Sequence, residues 1–568
     1  MKKILVYIFL VILAVPVLAQ KPQDLKREVT LYNPYKPSLP DVVKKSFLPD
    51  MTDTTGSRPQ FNYNVRTFPF MPAYSIVPVK PAALLPDPLP KLYKSYVNIG
   101  FGTYVTPLAE VSISSLRSKK GQAGFYARHF STNGNIDLLN DKKGFAGYMD
   151  NDATLYGKKF LNKTILSGSI DFMQKTRYAY GYDTAFNAYD PAKKQIKLNY
   201  YNAGAEIDLA SAKLDSSVLS YDFRAAYNYF AAKPGYFQNN IDITAQAGRE
   251  WKGFYAGGLA DFSYYKPSDS ISSDSKYHVW VNPFVKKTSS EWSLKLGLKM
   301  LLDKHYEQDA EFHIYPDIDF GFNIVPNYIR FFAGLGGGTD ENDAASVLGV
   351  NPYLIPGKTL FTLKHTNYSL IVKGGFTGET GIGGTYNLSA SYSIVNDMLF
   401  FSNYVLTDST AVKYRGEYFI PLSYDAEILD VKGSMSGRLG SNLSFDVAAN
   451  YYSYSMPANE YAWNKPGWDA SLGLKYNLRN KIMAGFGMNA LGPRKVLVTR
   501  ESHNPDVNSR EQIDLPTALS FNLSAEYRYT KLLSFWVRFN NINFSKYYEW
   551  AYFPSQRFLF LAGFTYSL

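Results

Sequence analysis

The sequence predicts an all-β protein that forms a large antiparallel transmembrane β-barrel after an N-terminal, proline-rich irregular segment. The expected number of strands is about 22, with about 16 to 20 as alternatives. Three observations predict this fold: an export signal at the start, alternating apolar and polar positions through most of the chain, and an alternating strand that runs to the last residue. Such a strand needs a partner on both edges, and closure of the sheet provides both.

The first element is a predicted signal peptide, residues 1–19. Lys2 and Lys3 precede an apolar run from Ile4 to Val15, and small residues ending at Ala19 form a cleavage site. We expect cleavage after Ala19 and a bacterial outer-membrane location. The apolar run is too short for a membrane-spanning helix, and no later window approaches one, which excludes a helical membrane protein.

The second element, residues 20–92, differs in composition from everything after it. It contains 13 of the 30 prolines and almost no alternation. Proline favours extended or turn conformations and removes a backbone donor from any sheet. We expect this stretch to be a periplasmic extension or a partial plug.

The third element, residues 93–568, is the predicted barrel. In residues 219–229 and 519–529, apolar and aromatic side chains alternate with Ser, Asn, Asp, Glu and Arg, and the segment that begins at Trp292 does the same. A soluble sandwich also alternates, but it rarely has more than about ten strands in one unit. Tight turns such as Arg479-Asn480 alternate with long connections at 267–276, 338–358 and 493–515, which is typical of outer-membrane barrels. The best helix candidate is Asn342–Leu348, in a loop.

Composition narrows the function classes. The chain has no cysteine, which excludes disulfides, thiolate metal sites and cysteine nucleophiles. Aromatic residues make up 16% of it, while the mean hydropathy is −0.23, a combination that fits lipid-facing and lumen-facing positions in alternation. The net charge of +11 suits anionic lipid or lipopolysaccharide, and we expect no nucleic-acid partner. An incidental charge imbalance is the favoured explanation.

The C-terminal stretch resembles the end of TonB-dependent receptor barrels. The similar features are an asparagine-rich turn, a Tyr-x-x-Trp element, a Phe-Pro pair and a final aromatic strand: Asn540, Asn541 and Asn543; Tyr547–Trp550; Phe553-Pro554; and Gly563–Tyr566. The resemblance implies a barrel-closing assembly signal, made of Gly563, Phe564, Tyr566 and Leu568, that the barrel assembly machinery recognises. Leu568 departs from the Phe or Trp that usually ends the family.

The N-terminal segment also departs from that family, because residues 20–92 are too short and too rich in proline for a plug domain. The opening KREVTLYNPYKP resembles that of plugless, TonB-receptor-like barrels of the Bacteroidota. Glu28, Val29, Thr30 and Leu31 are similar to the box that TonB captures by strand addition. A plain extended linker is the favoured alternative. TonB or other envelope proteins are therefore possible partners by resemblance.

No catalytic, cofactor or metal site is predicted, and we expect no enzyme. None of the six histidines lies in a GxSxG or HExxH motif. Two clusters could hold a divalent ion. In the first, His305 and His313 flank acidic residues, Glu307, Asp309 and Glu311, and a strand-turn-strand explains it as well. In the second, Asp340–Asp343 has ligands suited to calcium, but a solvated acidic loop is favoured.

Several aromatic residues near the C-terminal third, Tyr451, Tyr452, Tyr454, Trp463 and Trp468, could stack on sugars. Aromatic girdles at the membrane interfaces are the favoured explanation for them, because a membrane barrel needs such girdles in any case.

Two functions remain open. The leading hypothesis is solute uptake or a receptor role across the outer membrane. The alternative is a structural or assembly component of an outer-membrane complex, with the N-terminal segment docking partners. A barrel of about 22 strands leaves a lumen that must be filled to preserve the permeability barrier.

Overall fold

The computed structural model describes residues 93–116, 118–138, 142–181, 192–212, 218–233, 235–354, 357, 360, 362–406, 418–501, 509–556 and 558–568. The predicted signal peptide, the proline-rich segment and the TonB-box-like residues Glu28–Leu31 lie outside the described residues. Among the residues described, no helix is long and apolar enough to cross a membrane.

The structure confirms the predicted fold class. Twenty-two strands form one closed antiparallel barrel. In ring order they are β1, β2, β3, β6 to β21, β24, β25 and β28. The strands of the first half are β1 Ser95–Gly102, β2 Thr106–Ser114, β3 Gly121–Thr132, β4 Asn135–Asp137, β5 Lys143–Phe145, β6 Tyr148–Phe160, β7 Thr164–Tyr178, β8 Lys197–Ser211, β9 Ser220–Ala232, β10 Tyr236–Trp251, β11 Phe254–Pro267, β12 Lys276–Thr288, β13 Trp292–Lys304 and β14 Ala310–Val325.

The second half contains the one helix found in the described chain and the remaining strands. They are β15 Ile329–Asp340, α1 Ala344–Val350, β16 Thr366–Glu379, β17 Thr385–Leu406, β18 Tyr418–Leu439, β19 Leu443–Ser455, β20 Trp468–Leu478, β21 Ile482–Leu491, β22 Arg494–Glu501, β23 Ser509–Leu515, β24 Ala518–Arg528, β25 Leu533–Asn540, β26 Tyr548–Trp550, β27 Phe553–Pro554 and β28 Leu559–Ser567.

The barrel closes where the sequence predicts, between its last and first strands. Strand β28 pairs with β25 on one edge and with β1 on the other. Leu568 N–H donates to the Ser95 carbonyl, and Ser95 N–H donates to the Leu568 carbonyl, both at 2.9 Å. The ladder therefore extends to the end of the chain, and neither edge of the final strand is open.

Side chains alternate between the outer face and the lumen as predicted. Phe223 and Tyr227 of β9, Leu296 of β13 and Leu523 of β24 are exposed on the outside. Their polar neighbours point inward and meet across strands, as Lys295 Nζ meets an Asp317 carboxylate oxygen. The register keeps each set on one face, because a slip of one residue would exchange the two faces.

Connections differ at the two ends of the barrel. One end, called here the turn end, has short connections such as 252–253, 289–291 and 479–481. Arg479 and Asn480 both have positive φ, 52° and 55°, as a tight hairpin turn requires. The opposite end, called the loop end, carries the connections 133–147, 179–196, 268–275, 341–365, 492–517 and 541–558.

Two details differ from the sequence-based expectation. The helix α1 begins and ends two residues later than the expected Asn342–Leu348. The expected long connection 493–515 contains a hairpin, β22 and β23, and β22 pairs in parallel with β17 beyond the barrel wall. Val496, Leu497 and Val498 are all buried, so β22 has no alternating pattern to reveal it.

Candidate functional site: the capped lumen

At the loop end of the barrel, several connections pack together in a compact apolar core, called here the cap. Its side chains come from the connections 133–147, 179–196, 268–275, 341–365 and 541–558 and from the adjoining strand ends. Its buried members are Ile136, Leu138, Ala146, Ala179, Tyr180, Ile196, Leu198, Tyr200, Phe230, Ala232, Ile271, Ala344, Val347, Leu348, Tyr353, Leu354, Leu360, Leu363, Phe401, Phe419, Trp550 and Phe553. Loops from widely separated strands thus share one core.

Phe553 lies at the centre of the cap and is 0% exposed. Its ring centroid lies 4.3 Å from that of Tyr353, 5.1 Å from that of Tyr180 and 5.4 Å from that of Phe419. Aromatic pairs at such distances contribute about 0.5 to 1.5 kcal/mol each beyond the area they bury. The cap is therefore a packed unit rather than a set of independent loops.

Hydrogen bonds satisfy several of the polar groups that the cap buries. The Tyr180 hydroxyl donates to the Pro554 carbonyl at 2.9 Å, and the Tyr200 hydroxyl donates to the Leu354 carbonyl at 3.0 Å. Arg494 Nη1 donates to the Glu549 carbonyl at 2.7 Å. Burial raises the pKa of the Tyr180 and Tyr353 hydroxyls, so both stay protonated at neutral pH.

Beneath the cap, the lumen wall is polar. Oppositely charged side chains meet across the strands: Arg128 of β3 lies 3.3 Å from Glu110 of β2, and Lys373 of β16 lies 3.0 Å from Asp319 of β14, over Gly334 of the strand between them. A cavity of about 1000 Å³ separates the cap from this wall. Arg177, Tyr353, Asp469, Asn522 and Glu549 are among its lining residues. Such a space could hold a polar solute that had passed the cap.

A smaller cavity, of about 320 Å³, is strongly acidic. Asp171, Glu206, Asp242, Asp261 and Glu341 line it. Glu341 also accepts a hydrogen bond from the Tyr265 hydroxyl. Burial, followed by the charges of Asp242 and Asp261, raises the pKa of Glu341 to about 8.

Neither ion-binding cluster considered from the sequence is assembled as an ion site in the described chain. The first is a turn between β13 and β14, as the alternative predicted, and His313 Nε2 lies 3.4 Å from Glu311. The expectation of a solvated loop at Asp340–Asp343 holds only for Asp340, which is exposed at the end of β15. Asp343 caps helix α1 through the Ser346 N–H, and Asn342 is buried and donates to the Lys364 carbonyl at 2.7 Å.

The sequence does not reveal a cluster of two histidines and one aspartate at the rim of the loop end. His278, Asp303 and His365 each offer one ligand atom within 4.8 Å of the others. Their positions in the chain are far apart, so no spacing rule could find them. Only the pairing of β12 with β13, which sets His278 opposite Asp303, brings two of them together.

The predicted assembly-signal residues form part of the seam. Phe564 and Tyr566 point outward, and Gly563 pairs with Gly100 across the β1–β28 ladder. The indole of Trp536 lies over these two glycines, and its Nε1 donates to Asn98 Oδ1 at 2.7 Å. A signal role for Gly563, Phe564, Tyr566 and Leu568 stays a prediction.

The aromatic residues considered for girdles or sugar stacking divide between environments. Tyr451 is exposed on the outer face, whereas Tyr452 and Tyr454 stack on each other at 6.3 Å. Trp463 is buried and donates Nε1–H to Glu460 Oε2 at 2.8 Å, so it serves neither role.

Comparisons with known proteins support the fold. The sequence matches no protein-family model and no curated protein. Solved structures do match: the pyoverdine outer membrane receptor FpvA from Pseudomonas aeruginosa PAO1, with a TM-score of 0.61 and 13% identity, covers 84% of this chain and 79% of that one. The copper transporter OprC matches with a TM-score of 0.61 and 13% identity, over 84% of this chain and 81% of that chain.

The FrpB iron transporter from Neisseria meningitidis, F3-3 variant, gives a TM-score of 0.63 and 10% identity, over 84% of this chain and 82% of that chain. At these identities the similarity shows the fold alone. The barrel expected from the C-terminal resemblance is confirmed at that level.

Proposed function

We propose that this protein is an outer-membrane barrel of the TonB-dependent receptor-like class that takes up or senses a solute from outside the cell. The observation that carries the proposal is the wide barrel with a polar lumen whose loop end carries the cap. The structural neighbours named above are outer-membrane receptors and transporters, which supports the same general role.

The orientation follows from the asymmetry of the connections. Outer-membrane barrels have short turns at the periplasmic side and longer loops outside. On that basis the turn end faces the periplasm, and the cap faces the exterior. The cap is then the first barrier that a solute meets, and movement of its loops would open the way to the cavity beneath.

The decisive experiment removes the part of the cap that the connection 341–365 contributes. Residues 344–363, which include α1, are replaced by a short Gly-Ser linker, and conductance is measured in planar bilayers. We expect larger and more frequent openings than in the unmodified protein. Inserting the same linker between Lys252 and Gly253, at the turn end, is the control. Identical traces for all three proteins would contradict a gating role for the cap.

A structural or assembly role remains the second candidate, because a closed and well-packed cap also suits a barrel that passes nothing. Envelope proteins, TonB among them, would then dock on the periplasmic side, with Glu28–Leu31 as the proposed contact. Affinity purification from a detergent extract separates the two candidates. A stoichiometric envelope complex together with conductance that no solute changes would favour the scaffold.

A further inference from the structure

We propose that His278, Asp303 and His365 bind a divalent first-row transition metal that fastens the cap to the barrel wall. His278 and Asp303 belong to neighbouring wall strands, β12 and β13. His365 ends the connection 341–365, which carries helix α1 and much of the cap core. A metal shared by the three would tie that connection to the wall.

The free ligand atoms support this site. His365 is 2% exposed, and neither of its ring nitrogens has a hydrogen-bond partner. His278 Nδ1 and Asp303 Oδ1 are also buried without partners, and they lie 3.6 Å apart. That is too long for a good hydrogen bond, yet ligands about 2.1 Å from a tetrahedral ion lie about 3.4 Å apart. Three buried polar groups converge without satisfying one another.

Surrounding residues hold the ligands in orientation. Thr339 Oγ1 lies 3.3 Å from His278 Nε2, so a proton on Nε2 leaves the Nδ1 lone pair directed at the site. His305 Nε2 lies 3.1 Å from Asp303 Oδ2, which leaves Oδ1 free. Metal sites commonly have such an outer layer of hydrogen bonds.

The ligand types select the class of ion. Two imidazoles and one carboxylate suit zinc, iron, nickel, cobalt or copper better than calcium or magnesium.

Lys276 competes with the metal for the carboxylate of Asp303. It is 1% exposed, and its Nζ donates to the Asn342 carbonyl at 3.2 Å and lies 4.6 Å from the centre of the Tyr265 ring. A second cation in the same pocket would be repelled by this ammonium group. Removing the lysine charge should therefore tighten metal binding.

The test measures zinc binding by the full chain, purified in detergent with a tag that contains no histidine. After treatment with a chelator, equilibrium dialysis against Zn²⁺ should give one tightly bound zinc per chain. His365→Ala and Asp303→Asn should lose it. His305→Ala should bind about 10-fold to 100-fold more weakly. Lys276→Met should bind at least about tenfold more tightly.

His313→Ala is the matched control, because His313 is a rim histidine outside the cluster, and it should bind zinc as the unmodified chain does. Absence of tight zinc in the unmodified chain, or equal binding after His365→Ala, would overturn the proposal. Two of these measurements do not depend on a variant that could fail to fold: the number of zinc ions bound per unmodified chain, and the tighter zinc binding expected of Lys276→Met. The result is also independent of transport, since a barrel without conductance could still bind zinc.

Discussion

Phe553 shows how much of the cap depends on a single side chain. Its ring touches residues from three other parts of the chain, and Gly181 lies so close that a Cβ there would come within 2.3 Å of it. No atom larger than hydrogen fits at position 181 without moving this ring. The side chain and the glycine are therefore matched in size.

Phe553→Ala should open the cap without unfolding the barrel. Truncating a fully buried phenylalanine costs about 3 to 5 kcal/mol, and here that cost is confined to the loops. We expect faster proteolysis of the connections 341–365 and 541–558 and an unchanged melting temperature of the barrel. Phe544→Ala, which alters an exposed ring in the same connection, should leave the proteolysis rate unchanged.

At the same scale, sequence reasoning located the seam residues but not the residues that matter in the cap. Gly563 and Phe564 lie in a strand with a readable period, and their faces follow from it. In the sequence, Phe553 stands out only as part of a Phe-Pro pair. Its partners Tyr180, Tyr353 and Phe419 lie in loops or at strand ends, where no period relates one position to another.

Among the elements, the strands of the barrel wall are predictable from sequence because each has an apolar outer face and a polar face toward the lumen. The hairpin β22–β23 was not, because β22 is covered on both faces and reads as a short apolar run. The connection 341–365 is predictable from the sequence only in part. Its helix was expected within two residues, but its packing against the acidic cavity depends on β10 and β11, which are distant in sequence.

That packing makes stability depend on pH through Glu341. Because its folded pKa is raised to about 8, the folded state holds a proton that the unfolded state releases near its ordinary value. Stability should therefore fall as the pH rises from about 4.5 to about 8 and then level off. Glu341→Gln should remove this decline and be more stable than the unmodified protein at about pH 9.

Urea unfolding midpoints, measured across that pH range, check the expectation. Glu379→Gln alters an exposed carboxyl at the turn end. Its urea unfolding midpoint should fall with pH as steeply as that of the unmodified protein. If the unfolding midpoint of Glu341→Gln fell with pH as steeply as that of the unmodified protein, the carboxyl of Glu341 would not titrate in the folded state as described.

The whole barrel depends on the seam between β1 and β28. A Cβ at Gly563 would lie 2.2 Å from the Ile99 carbonyl oxygen and 2.4 Å from the Trp536 ring, so backbone or indole must shift. Gly563→Ala should lower the free energy of unfolding by about 1 to 3 kcal/mol. Gly487→Ala, whose Cβ would meet nothing nearer than 3.9 Å, is the control.

Gel mobility before and after heating distinguishes folded from unfolded barrels in both variants, and urea titration gives the free energy. Equal stability of the two alanine variants would mean that the indole moves aside at no cost, and the seam would then tolerate side chains that the geometry opposes.

Deletion of the proline-rich segment that precedes the barrel tests whether it obstructs the lumen. If residues 20–92 obstruct the lumen, deleting residues 21–90 should raise the single-channel conductance in planar bilayers, because a barrel of this strand number otherwise leaves a wide passage. The deletion combined with the cap replacement should conduct more than either alone. An unchanged trace after the deletion would remove the plug hypothesis and leave the tether hypothesis.

Because the connections at the loop end share one core, their buried positions cannot diversify independently. A substitution that enlarges one buried aromatic must be answered by a smaller side chain on a loop from the far side of the opening. The exposed tips of these connections could thus vary freely, whereas the buried positions beneath them would have to change in concert.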